Sequence, residues 1–273
     1  MTAGSPVDTA FTGSVAELYE RYLVPLIFEP YALDVAMRVA AKKPRHVLEL
    51  AAGTGVVTRQ LSVMLDEAAE IVATDLNPAM LREAERIGTA RPVQWKAADA
   101  MQLPFGDRSF DAVVCQFGAM FFPDRPRAYA ETRRVLRPGG VFAFNIWAGI
   151  DVNEFADAAT AALATLYPQD PPRFMARTPH GHGDARQIVS DLAAAGFTAP
   201  PEVERIAFTS RAVSAHIVAV AYCQGTPLRG EIESRDPGGL ERATRVAEEE
   251  MVRRFGSGPV EGRIEALVVT VAA

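Results

Sequence analysis

The chain has 273 residues, of which 49% are hydrophobic and 23% are charged, as in an ordinary globular protein with a substantial core. Its net charge is −6, so it offers no basic field for a phosphate backbone, and nucleic acid is not an expected partner. The two cysteines, Cys115 and Cys223, lie in apolar surroundings without C-x-x-C spacing, which disfavours a metal site or a redox pair.

The N-terminal segment does not have the pattern of a secretory signal. Residues 1–20 contain no lysine or arginine and no continuous apolar core. The longest uncharged apolar stretches, 112–123 and 139–150, are far shorter than the roughly 20 residues that a membrane span needs. We therefore expect a cytoplasmic protein without membrane attachment.

The N-terminal region predicts two helices ahead of the first strand. Ser14 and Glu17 have capping-box spacing and begin a helix that runs through Tyr22, and Pro25 interrupts it before a second helix at 31–42. We expect residues 1–43 to form a helical cap on a core that spans 44–273.

The next hundred residues alternate between strand and helix patterns. Strands are predicted at 46–50, 70–75, 93–97, 112–116 and 141–146, with helices at about 55–66, after Asn77, and at about 125–136. Asn77 followed by Pro78 is a favourable helix start, because proline lacks only an N–H that would be unpaired there. Such alternation indicates a parallel sheet covered on both faces.

Beyond Trp147 the periodicity is less regular. Helices are predicted at 151–166, after Asp184, and over most of 212–254, and strands at 203–210 and 267–272. Residues 168–183 form a loop too long for a simple connection, which is typical of a lid. We expect lid-like insertions near 148–183 and 211–262. The oligomeric state stays open, but the apolar segment 266–273 is a candidate sheet edge for a homodimer.

The most informative stretch is the apolar strand that ends at Glu49 and runs into a turn containing Gly53 and Gly55. A turn without bulky side chains lets the backbone approach a ligand, and a helix beginning there aims free N–H groups at it. Asp75 follows Gly55 by 20 residues at the end of the next strand, the position of a ribose-binding carboxylate. Thr58 stands where the dinucleotide fingerprint has its third glycine, so that fingerprint is incomplete.

Read backwards from the turn, the pattern is Glu49-x-Ala51-x-Gly53-x-Gly55. It resembles the first motif of the class I S-adenosylmethionine (SAM)-dependent methyltransferases, and the resemblance extends through residues 74–81, 98–105, 109–115 and 136–140 in the family's order. The chain resembles the UbiE-like, methyltransferase type 11 branch, which methylates small molecules. Ala51 departs from the glycine that many members have there, but its side chain is small.

The resemblance implies an α/β, Rossmann-like fold, with a seven-stranded, mostly parallel sheet, helices on both faces and helical cap insertions. It implies SAM as cofactor, S-adenosyl-L-homocysteine as product and a small-molecule methyl acceptor as partner. The implied cofactor-binding residues are Tyr22, Glu49, Ala51, Gly53, Thr54, Gly55, Asp75, Leu76, Met80, Asp99, Ala100, Met101, Gln116 and Phe117.

Within that set, Glu49 is expected to meet the methionyl ammonium, Asp75 the ribose hydroxyls and Asp99 the adenine amino group. Phe121 and Trp147 follow strand ends, where α/β proteins bind ligands, and are candidate acceptor-pocket residues, although aromatic side chains there are more often simply core.

His180 and His182 are the ionisable candidates in the lid-like loop. Histidine titrates near neutrality and suits a general base for an acceptor of high pKa. The same residues also fit an exposed turn with no catalytic role, or a weak metal site that lacks other ligands, and we expect no metal.

Methyl transfer from a sulfonium is an in-line displacement that requires mainly the correct placement of donor and acceptor. We therefore expect a SAM-dependent methyltransferase that transfers a methyl group to O, N or C of a small, aromatic or apolar metabolite. Two alternatives stay open: a catalytically silent SAM-binding regulator or scaffold, and an NAD(P)-dependent oxidoreductase. The incomplete dinucleotide fingerprint and the lack of a Tyr-x-x-x-Lys pair disfavour the latter.

Overall fold

A computed structural model describes residues 13–273 of the chain. The strands are β1 (His46–Glu49), β2 (Glu70–Asp75), β3 (Gln94–Ala97), β4 (Phe110–Gln116), β5 (Leu136–Trp147), β6 (Glu202–Ala212) and β7 (Val260–Ala272). The α-helices are α1 (Gly13–Leu18), α2 (Glu29–Ala41), α3 (Val56–Met64), α4 (Pro78–Ile87), α5 (Arg125–Val135), α6 (Glu154–Leu166), α7 (Phe174–Arg177), α8 (Ala185–Ala194), α9 (Ala215–Gln224), α10 (Leu228–Arg235) and α11 (Leu240–Phe255). A π-helix spans Tyr19–Phe28, and two short 3₁₀ turns span Ala119–Phe121 and Ile150–Val152.

The seven strands form one sheet in the order β3-β2-β1-β4-β5-β7-β6. The pairs β1 with β2, β1 with β4, β2 with β3 and β4 with β5 are parallel. The central strands β1 and β4 are buried along nearly their whole length, which explains their continuous apolar sequence. The predicted mostly parallel, Rossmann-like sheet is confirmed.

The last strand, predicted at 267–272, is longer than predicted and lies inside the sheet. The backbone N–H of Gly139, near the start of β5, donates to the carbonyl of Ala273 (3.1 Å), and that of Ala148 donates to Glu265 (3.0 Å), so β7 runs antiparallel to β5. Because β7 has strand neighbours on both sides, the edges of the sheet are β3 and β6. The prediction that residues 266–273 form a sheet edge is therefore wrong, and their apolar character reflects burial inside the sheet.

The chain divides into two compact units. The core unit consists of Glu29–Ile146, Gly183–Ile206 and Ala266–Ala273, and the helical unit consists of residues 13–28, Trp147–His182 and Ala207–Glu265. The predicted boundary at residue 43 and the insertions near 148–183 and 211–262 stay predictions. Among the described residues, no helix is both long and apolar enough to cross a bilayer.

The hydrophobic centre of the core unit lies around β4 and β5. The rings of Phe142 and Phe144 stack with centroids 4.5 Å apart, and Tyr129 packs against both of them. Ile188 and Leu192 on α8 join the same cluster. This packing holds β4 and β5 in place and thereby determines the positions of their ends.

Local signals located two helix starts correctly. The Asn77 side chain accepts a hydrogen bond from the Ala79 N–H (2.9 Å) with Pro78 next to it, and Asp184 accepts from the Arg186 N–H (2.9 Å). Pro25 behaves otherwise, because it lies inside the π-helix and not between two helices. The wider π turn accommodates a residue that lacks an N–H and disrupts ordinary i→i−4 bonding.

Candidate cofactor-binding site

The sheet order places a topological switch point beside β1. The strands β1, β2 and β3 follow one direction across the sheet, whereas β4 and β5 lie on the other side of β1. In such sheets, ligands bind outside the carboxyl ends of the strands at this point. Glu49 ends β1, Asp75 ends β2 and Gln116 ends β4, so three predicted site residues share that edge.

The turn after β1 has the backbone conformation that a ligand-binding loop needs. Ala51, Gly53 and Gly55 have φ values of 50°, 56° and 84°, all in the left-handed region. A Cβ on Gly55 would lie 3.0 Å from the Trp95 ring, so the turn has no room for a side chain there. Helix α3 begins next, and no side chain caps its N-terminus, which leaves backbone N–H groups for a ligand.

Ala51 is accommodated by a glycine on a neighbouring strand end. A Cβ on Gly118 would lie 2.4 Å from the Ala51 Cβ, so the alanine occupies space that a side chain at 118 would need. The departure from the family's glycine at residue 51 is thus matched by the absence of a side chain at residue 118.

Glu49 is a buried carboxylate at the centre of the site. It is 1% exposed, and its Oε2 accepts a hydrogen bond from the Thr58 hydroxyl. Burial raises the pKa of Glu49 to about 8, while the Thr58 hydrogen bond and the Arg59 charge act to lower it. A buried carboxylate of this kind gains most from an ammonium partner, which the methionine part of SAM carries.

Asp75 connects the turn to the end of β2. One of its carboxylate oxygens accepts from the Gly53 N–H (2.8 Å), and the other accepts from the Asn77 N–H (2.7 Å). Burial raises the pKa of Asp75, and these backbone hydrogen bonds oppose the rise. Each carboxylate oxygen has a second lone pair, so the residue can also accept from a ribose diol.

The residues expected around the adenine lie next to these strand ends. Leu76 is 66% exposed, whereas Met80 is buried on α4. The Asp99 Oδ1 accepts from the Met101 N–H (2.8 Å) in a tight turn after β3, and Ala100 lies within that turn. An exposed leucine after β2 and a partly exposed carboxylate after β3 suit an adenine ring, which has apolar faces and a polar edge.

The end of β4 is held by residues that the sequence analysis missed. Phe117 has a φ of 49°, and its N–H donates to the side-chain oxygen of Asn145 (2.9 Å), which is fully buried on β5. The Tyr31 ring meets Phe117 edge-to-face at 5.2 Å, and its hydroxyl donates to the Ile206 carbonyl (3.0 Å). Phe121, a predicted acceptor-pocket residue, follows in the 3₁₀ turn. The lone asparagine in an apolar strand is the signal that identifies Asn145; Tyr31 has no such signal.

The remaining predicted site residues belong to the helical unit. The Trp147 ring lies 6.0 Å from that of Phe28 and 5.9 Å from that of His180, between ring centroids. Tyr22 lies on the π-helix with the Arg21 guanidinium over its ring. The core unit therefore brings the strand-end residues together, and the roles of these residues, of Tyr22, of Trp147 and of the histidines all stay predictions.

His180 is not on an exposed turn, as one interpretation of its loop expected. It is 9% exposed, and its Nδ1 lies 3.0 Å from the Ala148 carbonyl oxygen. Burial lowers the pKa of His180 to about 4, so the ring is neutral at pH 7. A neutral imidazole that donates from Nδ1 carries its lone pair on Nε2. His182 is partly exposed in the same segment.

The residues at the switch point fit SAM and define a class I SAM-dependent methyltransferase. The Thr54 hydroxyl is buried in the turn without a partner within the described chain, as expected where a ligand completes the hydrogen bonding. The uncapped α3 terminus and the carboxylates of Glu49 and Asp75 would hold the carboxylate, the ammonium and the ribose of the same molecule.

Comparison with known proteins agrees with this class. Residues 48–144 match the family model Methyltransf_11, described as a methyltransferase domain. A demethylmenaquinone methyltransferase from Thermus thermophilus is 44% identical over 114 residues, which cover 40% of this chain and about half (49%) of that protein. The ubiquinone/menaquinone biosynthesis C-methyltransferase UbiE of Azotobacter vinelandii is 28% identical over 204 residues, 70% of this chain and 76% of that protein.

The fold is also shared with a solved structure of phosphoethanolamine N-methyltransferase 2 from Haemonchus contortus in complex with SAM. The TM-score is 0.59 at 15% identity, over 96% of this chain and 58% of that one. Residues 48–144 therefore form a SAM-dependent methyltransferase domain with SAM as its cofactor, and the chain is similar to UbiE-like, methyltransferase type 11 proteins.

Proposed function

We propose that the protein methylates a small, planar aromatic acceptor that carries a hydroxyl group, of the phenol or hydroquinone class. The observation that carries the proposal is a neutral, buried histidine beside a cluster of aromatic rings in the helical unit. His180 lies next to Trp147, Trp147 next to Phe28, and Phe28 stacks on Tyr19 with centroids 5.1 Å apart. Aromatic faces and edges favour a planar, apolar ligand.

The histidine supplies the polar contact that such a ligand needs. Because Nδ1 of His180 faces the Ala148 carbonyl, Nε2 has a lone pair that accepts a hydrogen bond from a hydroxyl group. Its low pKa makes His180 a weak base. It therefore suits a hydrogen-bond acceptor that orients and polarises a phenolic O–H better than a general base that takes up the proton. A polarised phenol is more nucleophilic at its oxygen and at the ring carbons ortho to it.

SAM, when bound, supplies a methyl group whose bond electrons stay with sulfur when the acceptor displaces it in line. The acceptor atom forms the new bond to carbon and loses one proton. If oxygen is methylated, the hydroxyl proton leaves to water or to Nε2 of His180; if a ring carbon is methylated, the proton on that carbon leaves to water and the hydroxyl is retained. The names of the relatives, a demethylmenaquinone methyltransferase and a C-methyltransferase, support carbon as the methylated atom. The cofactor side of the reaction requires mainly positioning, which the strand-end residues provide.

The test is a product analysis with a matched variant. The protein is incubated with methyl-deuterated SAM and a panel of hydroquinones, phenols, aliphatic alcohols and amines, and products are identified by mass spectrometry. We expect label in a hydroquinone or phenol, and His180→Ala to lower kcat while SAM affinity is unchanged. His216→Ala is the control, because His216 pairs with Glu248 elsewhere in the helical unit.

Two outcomes would contradict the proposal. Exclusive methylation of amines would show that the aromatic cluster does not select the acceptor. SAM binding without product from any acceptor of the panel would favour the alternative of a silent SAM-binding regulator or scaffold.

A further inference from the structure

Thr58 has an unusual hydrogen bond for a threonine in a helix. It is the third residue of α3 and is fully buried. Helical threonines commonly donate to the carbonyl four residues back, as Thr132 does to Ala128 (2.9 Å) and Thr160 to Ala156 (2.8 Å) in this chain. The Thr58 hydroxyl instead donates to the Glu49 carboxylate, at the end of the neighbouring strand.

The carbonyl that Thr58 would otherwise contact has another partner. The Thr54 carbonyl accepts from the Arg59 guanidinium at 2.7 Å. The arginine is therefore tied to the turn backbone and acts on Glu49 through its charge, whereas Thr58 acts through a direct hydrogen bond. Thr58 is also the residue that breaks the dinucleotide fingerprint, and this contact gives it a role in the site.

The charged and titratable groups around Glu49 leave its ionisation finely balanced. Arg59 on α3 favours the carboxylate, whereas Asp75 at the end of β2 disfavours it, and burial disfavours it most. The Cys115 thiol on β4 also interacts with Glu49, and burial raises its pKa to about 12, so it remains neutral. The Thr58 hydroxyl donates to Glu49, and this hydrogen bond is stronger when the accepting oxygen is charged, so it favours the ionised form.

We propose that Thr58 is a positioning residue that makes ionisation of Glu49 less costly, so that its carboxylate can form when the ammonium of SAM binds, and that it thereby sets the pH range of cofactor binding. This inference rests on the proposed contact of Glu49 with the methionyl ammonium and is independent of the acceptor. Below the pKa of Glu49, SAM binding must release a proton, so affinity falls as the pH falls.

Replacing Thr58 by valine keeps the shape and removes the hydroxyl. A hydrogen bond to a charged group is worth enough to move a pKa by about one unit or more. At a pH below the pKa, a rise of one unit weakens an interaction that requires the carboxylate by about tenfold. We expect Thr58→Val to lower SAM affinity at neutral pH by about 10-fold and to move the acidic limb of the affinity profile to higher pH by about one unit.

The experiment is calorimetric titration of the full chain with SAM and with S-adenosyl-L-homocysteine from about pH 6 to about pH 9, with proton release measured in two buffers. Thr58→Ser keeps a hydroxyl and should follow the wild-type profile. Thr132→Val makes the same change at a buried helical threonine elsewhere and should also leave the profile unchanged. In Glu49→Gln the acidic limb should disappear.

The outcomes separate this inference from the cofactor assignment. Lack of SAM binding by the wild-type protein would contradict the cofactor site itself. If SAM binds but Thr58→Val weakens it equally at every pH, Thr58 acts only through packing and the proposal is overturned. If Thr58→Val does not fold, Thr58→Ala replaces it. An acidic limb that moves to higher pH in Thr58→Ala but not in Thr58→Ser supports the proposal, and failure of Glu49→Gln to remove the acidic limb overturns it.

Discussion

Glu49→Gln should make the protein more stable and bind SAM less tightly. A glutamate has an ordinary pKa of 4.5, and Glu49 has a pKa of about 8 because it is buried. The folded state therefore holds this proton more tightly than the unfolded state, and the stability that the group contributes is lost as the pH rises from about 4.5 to about 8. At about 1.36 kcal/mol per pKa unit, the loss is about 3 kcal/mol by pH 7 and approaches about 5 kcal/mol above pH 8.

Glutamine has the shape of the protonated acid and can still accept from Thr58, but it does not ionise. Urea unfolding between about pH 5 and about pH 8.5 should give equal free energies for both proteins at the acidic end, with the variant increasingly more stable toward the alkaline end. Glu67→Gln at an exposed position is the control. Parallel stability profiles for wild type and Glu49→Gln would refute the reasoning, because the difference isolates this one carboxyl group.

Three other changes test the packing and polar contacts of the site. Gly118→Ala should destabilise by about 1–3 kcal/mol through contact with the Ala51 Cβ and the Cys115 Sγ, and Ala51→Gly should restore the part due to Ala51 in a double-mutant cycle measured by urea unfolding. Asn145→Ala should cost about 1–2 kcal/mol and weaken SAM binding, since it removes a buried acceptor of the Phe117 N–H; an unchanged melting temperature would contradict this. Asp75→Ala should weaken SAM by about 1–3 kcal/mol in calorimetry and also lower stability, because two backbone N–H groups lose their acceptor.

The parts of the fold that could be predicted from the sequence depend on interactions between residues that are close together in the chain. The Asn77 cap depends on residues two positions apart, and the strand ending at Glu49 depends on one apolar run. The tautomer and burial of His180 depend instead on Ala148, 32 residues away, and the hold on Phe117 depends on Asn145, 28 residues away. A local pattern marks Asn145 as unusual, but no local pattern identifies the partner in either contact, since the contacts exist only after the strands have assembled.

Two residues at the switch point, Ala51 and Phe117, have strained backbone conformations. Ala51 follows β1 and Phe117 follows β4, and both have φ values near 50°. Residues with a Cβ are disfavoured in this left-handed region by about 1–2 kcal/mol. Such strain persists only where surrounding contacts over-determine it. At Phe117 these contacts are the Asn145 hydrogen bond and the Tyr31 ring, and at Ala51 the free space is provided by Gly118. Both strained residues follow strands that end at the switch point, so we expect the cost of their conformations to serve the shape of this edge of the sheet.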